Sequence, residues 1–139
     1  MTNIKKIHHI NFLVKDIDEG ISRYRDLLGI EDFIREEIPG RGVITARVAL
    51  GEQWLVLVQP VDPDGTPGRH LAEHGEGFFL ISYAVDSLQQ AATRVTDHGS
   101  NMTSTAPRQG LQDWQVQDID FKDTLGAQIQ FCMERDLQK

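Results

Sequence analysis

Residues 7–29 read Ile7-His8-His9-Ile10-Asn11-Phe12-Leu13-Val14-Lys15-Asp16-Ile17, then Asp18-Glu19-Gly20-Ile21-Ser22-Arg23-Tyr24-Arg25-Asp26-Leu27-Leu28-Gly29, and the hydrophobic period changes midway. From Ile7 to Val14, Ile10, Phe12 and Val14 alternate against His9, Asn11 and Leu13, which predicts a strand. Beyond it, Ile21, Tyr24, Leu27 and Leu28 recur on one face of a predicted helix, with Asp18 as its cap and Gly29 as its stop.

Downstream, Phe33–Ile38, Gly42–Leu50 and Gln53–Gln59 are predicted strands, the last two joined across Gly51-Glu52. Pro60-Val61-Asp62-Pro63-Asp64-Gly65-Thr66-Pro67-Gly68 is a dense turn signal and reads as a connector, followed by a short helical piece at Arg69–His74. The opening pattern then returns. Phe79 to Val85 is strand-like, Ser87 or Asp86 can cap a helix carrying Leu88, Ala91, Ala92 and Val95, and Gly99 ends it. The strand-to-helix turns at Val14 and Val85 stand 71 residues apart and the stops at Gly29 and Gly99 stand 70 apart, so the simplest organisation is two βαβββ units. The expected fold is α+β, with the two modules forming an incomplete barrel around a cleft and helices on one face of each sheet.

A chain of 139 residues is one domain in size, so both modules share a single fold: module one at about 5–60, connector and short helix at 61–76, module two at 77–134. No long apolar run suggests a membrane span, and no secretory leader is evident before the first strand, so a cytoplasmic protein is expected. A net charge of −7 without a concentrated basic patch argues against nucleic acid and anionic membranes as partners. Arg35, Arg41 and Arg47 could meet a phosphorylated ligand but read as solvated surface. Cys132, the single cysteine, reads as a buried, inert thiol.

Several segments together carry a family resemblance: His8-His9-Ile10-Asn11-Phe12-Leu13-Val14-Lys15-Asp16-Ile17, Pro39-Gly40-Arg41-Gly42-Val43, Leu57-Val58-Gln59-Pro60, Gly75-Glu76-Gly77-Phe78, and a final strand at Gly126-Ala127-Gln128-Ile129-Gln130-Phe131. Across nearly its whole length the chain resembles the vicinal-oxygen-chelate superfamily of glyoxalases, bleomycin resistance proteins and dioxygenases, and within it the methylmalonyl-CoA epimerase branch. The resemblance implies a glyoxalase-like fold, commonly dimeric, in which four residues facing the cleft bind a divalent cation. The matching positions here are His9, Val56, Leu80 and Gln130. Valine and leucine have no lone pair to donate and a neutral amide is a poor substitute for a carboxylate, so the metal site reads as degenerate and no cofactor is expected. The epimerase branch also implies a pair of carboxylate bases. Gln130 and Thr45 stand where they belong.

Strand parity then names the lining. Residues in phase with the four positions are Asn11, Trp54, Val58, Ser82, Ala84, Gln128 and Cys132, whereas Ile10, Phe12, Leu55, Leu57, Ile81, Tyr83, Ile129 and Phe131 should face the helices. The expected cleft is apolar with a few neutral polar groups, suited to a small, largely apolar ligand contacted by Asn11, Thr45, Trp54, Val56, Leu80, Ser82 and Gln128. His9 is a candidate general base or ligand anchor, together with Gln130, or else makes a structural hydrogen bond. His8, one step out of phase, should point to the helix side. Trp114 is either a ligand contact or a core aromatic. His70-Leu71-Ala72-Glu73-His74 matches a zinc-protease pattern by composition but reads as a solvated helix end.

Three functions fit these residues. The first is a metal-independent small-molecule cleft protein, a lyase, an isomerase or a sequestering binder. The second is a metal-dependent epimerase or lactoylglutathione lyase-like enzyme. The third is a drug-binding protein of the bleomycin-resistance type. A homodimer is expected in each.

Overall fold

The structure, a computed structural model, describes residues 4–134. Its elements run β1 (Ile4–Leu13), α1 (Ile17–Leu28), β2 (Ile34–Ile38), β3 (Val43–Leu50), β4 (Gln53–Pro60), α2 (Thr66–His74), β5 (Gly77–Val85), α3 (Leu88–Asp97), β6 (Arg108–Gln109), β7 (Trp114–Asp118) and β8 (Ile129–Glu134). This is an α+β fold with the predicted βαβββ pattern occurring twice, and among the described residues no helix is long and apolar enough to cross a membrane.

The described residues form two compact units, His9–Phe79 and a second made of Ile4–His8 together with Leu80–Glu134. In the first, the strands are ordered β2-β3-β4-β1, with β1 parallel to β4 (Asn11 beside Val56, Phe12 beside Leu57) and β3 antiparallel to both neighbours. Helix α1 covers one face of this sheet. Its core is Val14, Ile17, Ala46 and Leu57, with Phe12, Ile21, Tyr24, Phe33 and Ile44 around it. The helix begins two residues earlier than the sequence suggests: Asp16, not Asp18, is extended and accepts the Glu19 N–H, so the buried stripe starts at Ile17 and Gly20. Gly20 lets the helix sit close, because a Cβ there would stand 3.1 Å from Val14 and 3.3 Å from Leu57. The predicted stripe therefore overshoots at its far end, where Leu27 and Leu28 are exposed. Gly29 does stop the helix, in the left-handed conformation.

The connector is more ordered than its composition suggests. Asp62 receives a loop on each side: its N–H and that of Val61 bond the Gly42 carbonyl, its own carbonyl accepts from Gly65 N–H, and its carboxylate accepts from Asp64 N–H. Helix α2 starts inside the connector, with Pro67 in its first turn, where the missing N–H costs nothing. On it, His70 is half-buried edge-on against Phe79 (4.9 Å) and its ring lies 4.5 Å from that of His74. The segment is thus not wholly solvated as expected, although His74 is exposed and pairs with Glu73.

In the second unit the order is β5-β8-β7-β6, with β5 parallel to β8 and β7 antiparallel to it. Helix α3, capped by Ser87, packs Val85, Leu88, Ala91 and Phe131 into a core ringed by Tyr83, Val95, Met102, Ile119 and Met133. The last strand begins later than predicted, because Leu125 and Gly126 adopt left-handed backbone and hold Gly126–Gln128 outside β8.

Candidate functional site

On the first unit, Phe12, Ala46 and Leu57 point to α1, so their in-phase neighbours point away from it. Register then assembles one face: His9 beside Trp54, Asn11 beside Val56, Arg47 opposite Val56, and Thr45 opposite both Val58 and Glu36. Five predicted site residues, His9, Asn11, Thr45, Trp54 and Val56, are therefore brought onto one surface. His9, Thr45 and Val56 are buried. Thr45 donates its hydroxyl to the Glu36 carbonyl at 2.6 Å, a structural bond. Asn11 Oδ1 is buried and accepts no hydrogen bond from any described residue.

Arg47 corrects the surface assignment. It is 5% exposed, its guanidinium donates to Glu36 Oε1 at 2.6 Å, and it lies over the Trp54 ring at 5.5 Å from the centroid. Arg35 is exposed as expected and pairs with Asp18.

On the second unit, Tyr83 and Phe131 point to α3, and the opposite face carries Ser82 beside Gln130, Gln130 opposite Asp118, Ala84 beside Cys132, Cys132 opposite Val116, and Trp114 opposite Glu134. Gln130 donates its amide N–H to Asp118 Oδ1 at 3.0 Å, and the other Asp118 oxygen accepts from Arg108. Ser82 and Gln130 are 0% and 3% exposed, yet Ser82 Oγ and Gln130 Oε1 have no hydrogen-bond partner among the described residues. Arg108 Nε is in the same condition. Buried polar atoms without a partner are uncommon in native interiors. Gln128, outside β8, is not placed by strand phase; its carbonyl accepts from Ile81 N–H.

Each of the two faces, taken by itself, is thus less apolar than expected, since each carries an ion pair. Arg47 with Glu36, and Arg108 with Asp118, were not identified from the sequence. A signal for two of them exists: Arg47 is in phase with Thr45, and Asp118 with Trp114 and Val116, inside otherwise apolar strands.

His8 is the second correction. It is buried against Trp114, rings edge-to-face at 4.5 Å, and hydrogen-bonds Glu134, both on the face turned away from α3 and not on the helix side. Trp114 itself is 2% exposed, a core aromatic. Burial holds the His8 pKa below its ordinary 6.5, outweighing the opposing pull of Glu134. A histidine that binds fewer protons folded than unfolded contributes stability that is fully present above the unfolded value and is lost as pH falls below it. Melting temperature should therefore drop from pH 7.5 to 5.5, and the drop should be shallower in His8→Gln; equal slopes would show that His8 does not carry it. His70, lowered by burial and by His74, contributes in the same direction and keeps the variant's slope from vanishing. Burial pushes the Cys132 thiol up, helped by Glu134 and Asp113, so it stays protonated and inert.

At the four positions that the family resemblance gives to a metal, Val56 and Leu80 place aliphatic carbon, which has no lone pair to donate, and only His9 and Gln130 carry a donor atom.

The model of the glyoxalase/bleomycin resistance protein/dioxygenase superfamily matches residues 8–117, and the chain belongs to that superfamily. Within it, the chain is 24% identical over 130 residues to an ethylmalonyl-CoA/methylmalonyl-CoA epimerase of Cereibacter sphaeroides, covering 91% of this chain and 96% of the relative. It is 23% identical over 129 residues to the uncharacterized protein YqjC of Bacillus subtilis, covering 93% and 92%. Among solved structures, a methylmalonyl-CoA epimerase in complex with methylmalonyl-CoA and ammonium superposes with a TM-score of 0.90 at 25% identity, covering 95% of this chain and 96% of that one.

Proposed function

We propose that this protein is a metal-independent, small-molecule-binding member of the superfamily, in which the polar group of an organic ligand is anchored on the face of the second unit that carries Ser82, Gln130, Asp118 and Arg108. The observation that supports this most is the pair of buried, unpartnered oxygens on Ser82 and Gln130, set side by side in register. A ligand that meets them removes the cost of leaving two desolvated polar atoms unsatisfied. Both Asp118 oxygens are already engaged, one by Arg108 and the other by Gln130, which favours binding over proton transfer at this face. The first unit, taken by itself, carries His9 and Asn11 as the polar groups of a separate candidate contact face walled by Thr45, Trp54 and Val56, and Leu80 belongs with Ser82 on the second. The protein works as a cytoplasmic homodimer.

Four measurements test the reading. Metal analysis after mild chelation should find no stoichiometric divalent ion, and titration with zinc, cobalt, nickel or manganese should leave the melting temperature unchanged. Tight stoichiometric metal that disappears in a Gln130→Met variant would end it. A thermal-shift screen of aromatic acids, cationic drugs and acyl-CoA esters should then find stabilising ligands whose effect Ser82→Ala weakens. Light scattering at micromolar concentration that shows only a 15.7 kDa species would reject the dimer.

A second reading, epimerisation of an acyl-CoA ester, is favoured by the likeness to the methylmalonyl-CoA complex and by His9 as a possible base. Incubation with methylmalonyl-CoA in heavy water separates the two. Exchange of the α-proton above background, abolished by His9→Ala, would establish the second reading, and no exchange would leave the binding function.

A further inference from the structure

Resting on the proposed binding face, we infer that Asp118 sets the ligand class by fixing which end of the Gln130 amide is presented, so that the site selects molecules offering an O–H or N–H donor. A glutamine side chain has an acceptor end and a donor end, and its neighbours decide which way it lies. Asp118 is a carboxylate held by Arg108, and it can only accept. It takes the Gln130 N–H at 3.0 Å and thereby leaves Oε1, the acceptor, as the buried end without a partner. Ser82 Oγ, beside it in register and fully buried, can donate or accept and so adapts to whichever group arrives. The fixed requirement is therefore the one at Gln130. A hydroxyl, amine or amide N–H satisfies it, while an ether, ester or ketone oxygen would face a carbonyl lone pair.

The same chemistry predicts how the preference reverses. In Asp118→Asn the side chain keeps one acceptor, and Arg108, which only donates, takes it. The Asn NH2 then faces Gln130, whose amide turns its oxygen inward and presents its own NH2 to the ligand. The site changes from an acceptor to a donor without a change in shape.

The test uses the full chain, isotope-labelled, with a matched pair of probes, benzyl alcohol and benzyl methyl ether, titrated to tens of millimolar while the amide resonances around Ser82 and Gln130 are followed. In the parent protein the alcohol should bind about fivefold tighter than the ether, the worth of one hydrogen bond. In Asp118→Asn that discrimination should disappear or invert. Should this variant not fold, Gln130→Met, which keeps the volume and removes the amide, should bind both probes equally. Equal binding of the two probes by the parent, with shifts at Ser82 and Gln130, would overturn the inference and leave the binding face standing. Absence of any shift there with either probe would overturn the proposed face and the inference with it.

Discussion

Gly68→Ala is expected to lower the melting temperature by about 10 °C, the effect of roughly 3 kcal/mol in a domain of this size. A Cβ on Gly68 would stand 2.8 Å from the Pro63 Cα and closer still to the Asp62 carbonyl oxygen, and both are backbone atoms that cannot swing aside. That carbonyl also accepts the Gly65 N–H, so moving it breaks the turn that starts α2. Gly42 leans on the same residue from the other side: a Cβ there would be 2.7 Å from that of Asp62, and its φ of 65° is left-handed. Gly40→Ala is the control, since nothing lies within 4 Å of its added Cβ, and it should change stability by less than about 0.5 kcal/mol. Thermal melts of the three proteins decide the matter. A Gly68→Ala melt within 2–3 °C of the parent, about 1 kcal/mol, would mean that the connector is not clamped on Asp62.

Removing the carboxylate of Glu36 is the second large perturbation. Arg47, 5% exposed, would lose the carboxylate that its guanidinium meets at 2.6 Å, a situation that costs about 3–5 kcal/mol for a fully buried pair. Because the Glu36 side chain is 37% exposed, water shares the load, and about 2 kcal/mol is the expected loss for Glu36→Ala in urea denaturation. The double change Glu36→Leu with Arg47→Met should recover most of it, since an apolar pair of similar size leaves no charge to desolvate. A double variant as unstable as the single one would show that Arg47 matters through its packing on Trp54 and not through its charge.

These two sites also show what the linear chain can disclose. The repeat was legible because a period of two giving way to one of 3.6, closed by glycine, occurs twice at the same spacing, and each half folds as that pattern requires. Phase assigned the two sides of β4, β5 and β8 correctly: Leu57, Tyr83 and Phe131 lie against helices, and Val56, Ser82 and Gln130 do not. Pairing across strands was not legible. Glu36 meets Arg47 diagonally because β2 and β3 align Glu36 with Thr45, and Gln130 meets Asp118 because β7 and β8 align those two residues. Both registers depend on the intervening turns and on packing, and neither leaves a trace in the spacing of residues. His8 was misplaced for a different reason. Alternation holds within one set of neighbours, and the strand passes from one compact unit to the other between His8 and His9.

That passage also determines how the protein could be divided. A gene cut at the connector gives two pieces that look like complete repeats, but the downstream piece then lacks Ile4–His8. It loses the imidazole that lies against Trp114 and bonds Glu134, and the Lys5 ammonium that reaches Asp86. The repeat of the sequence and the repeat of the folded molecule are therefore offset by part of a strand. A half made of residues 77–134 alone keeps its own opening strand, β5, yet leaves Trp114, Glu134 and Asp86 to find those partners on another chain.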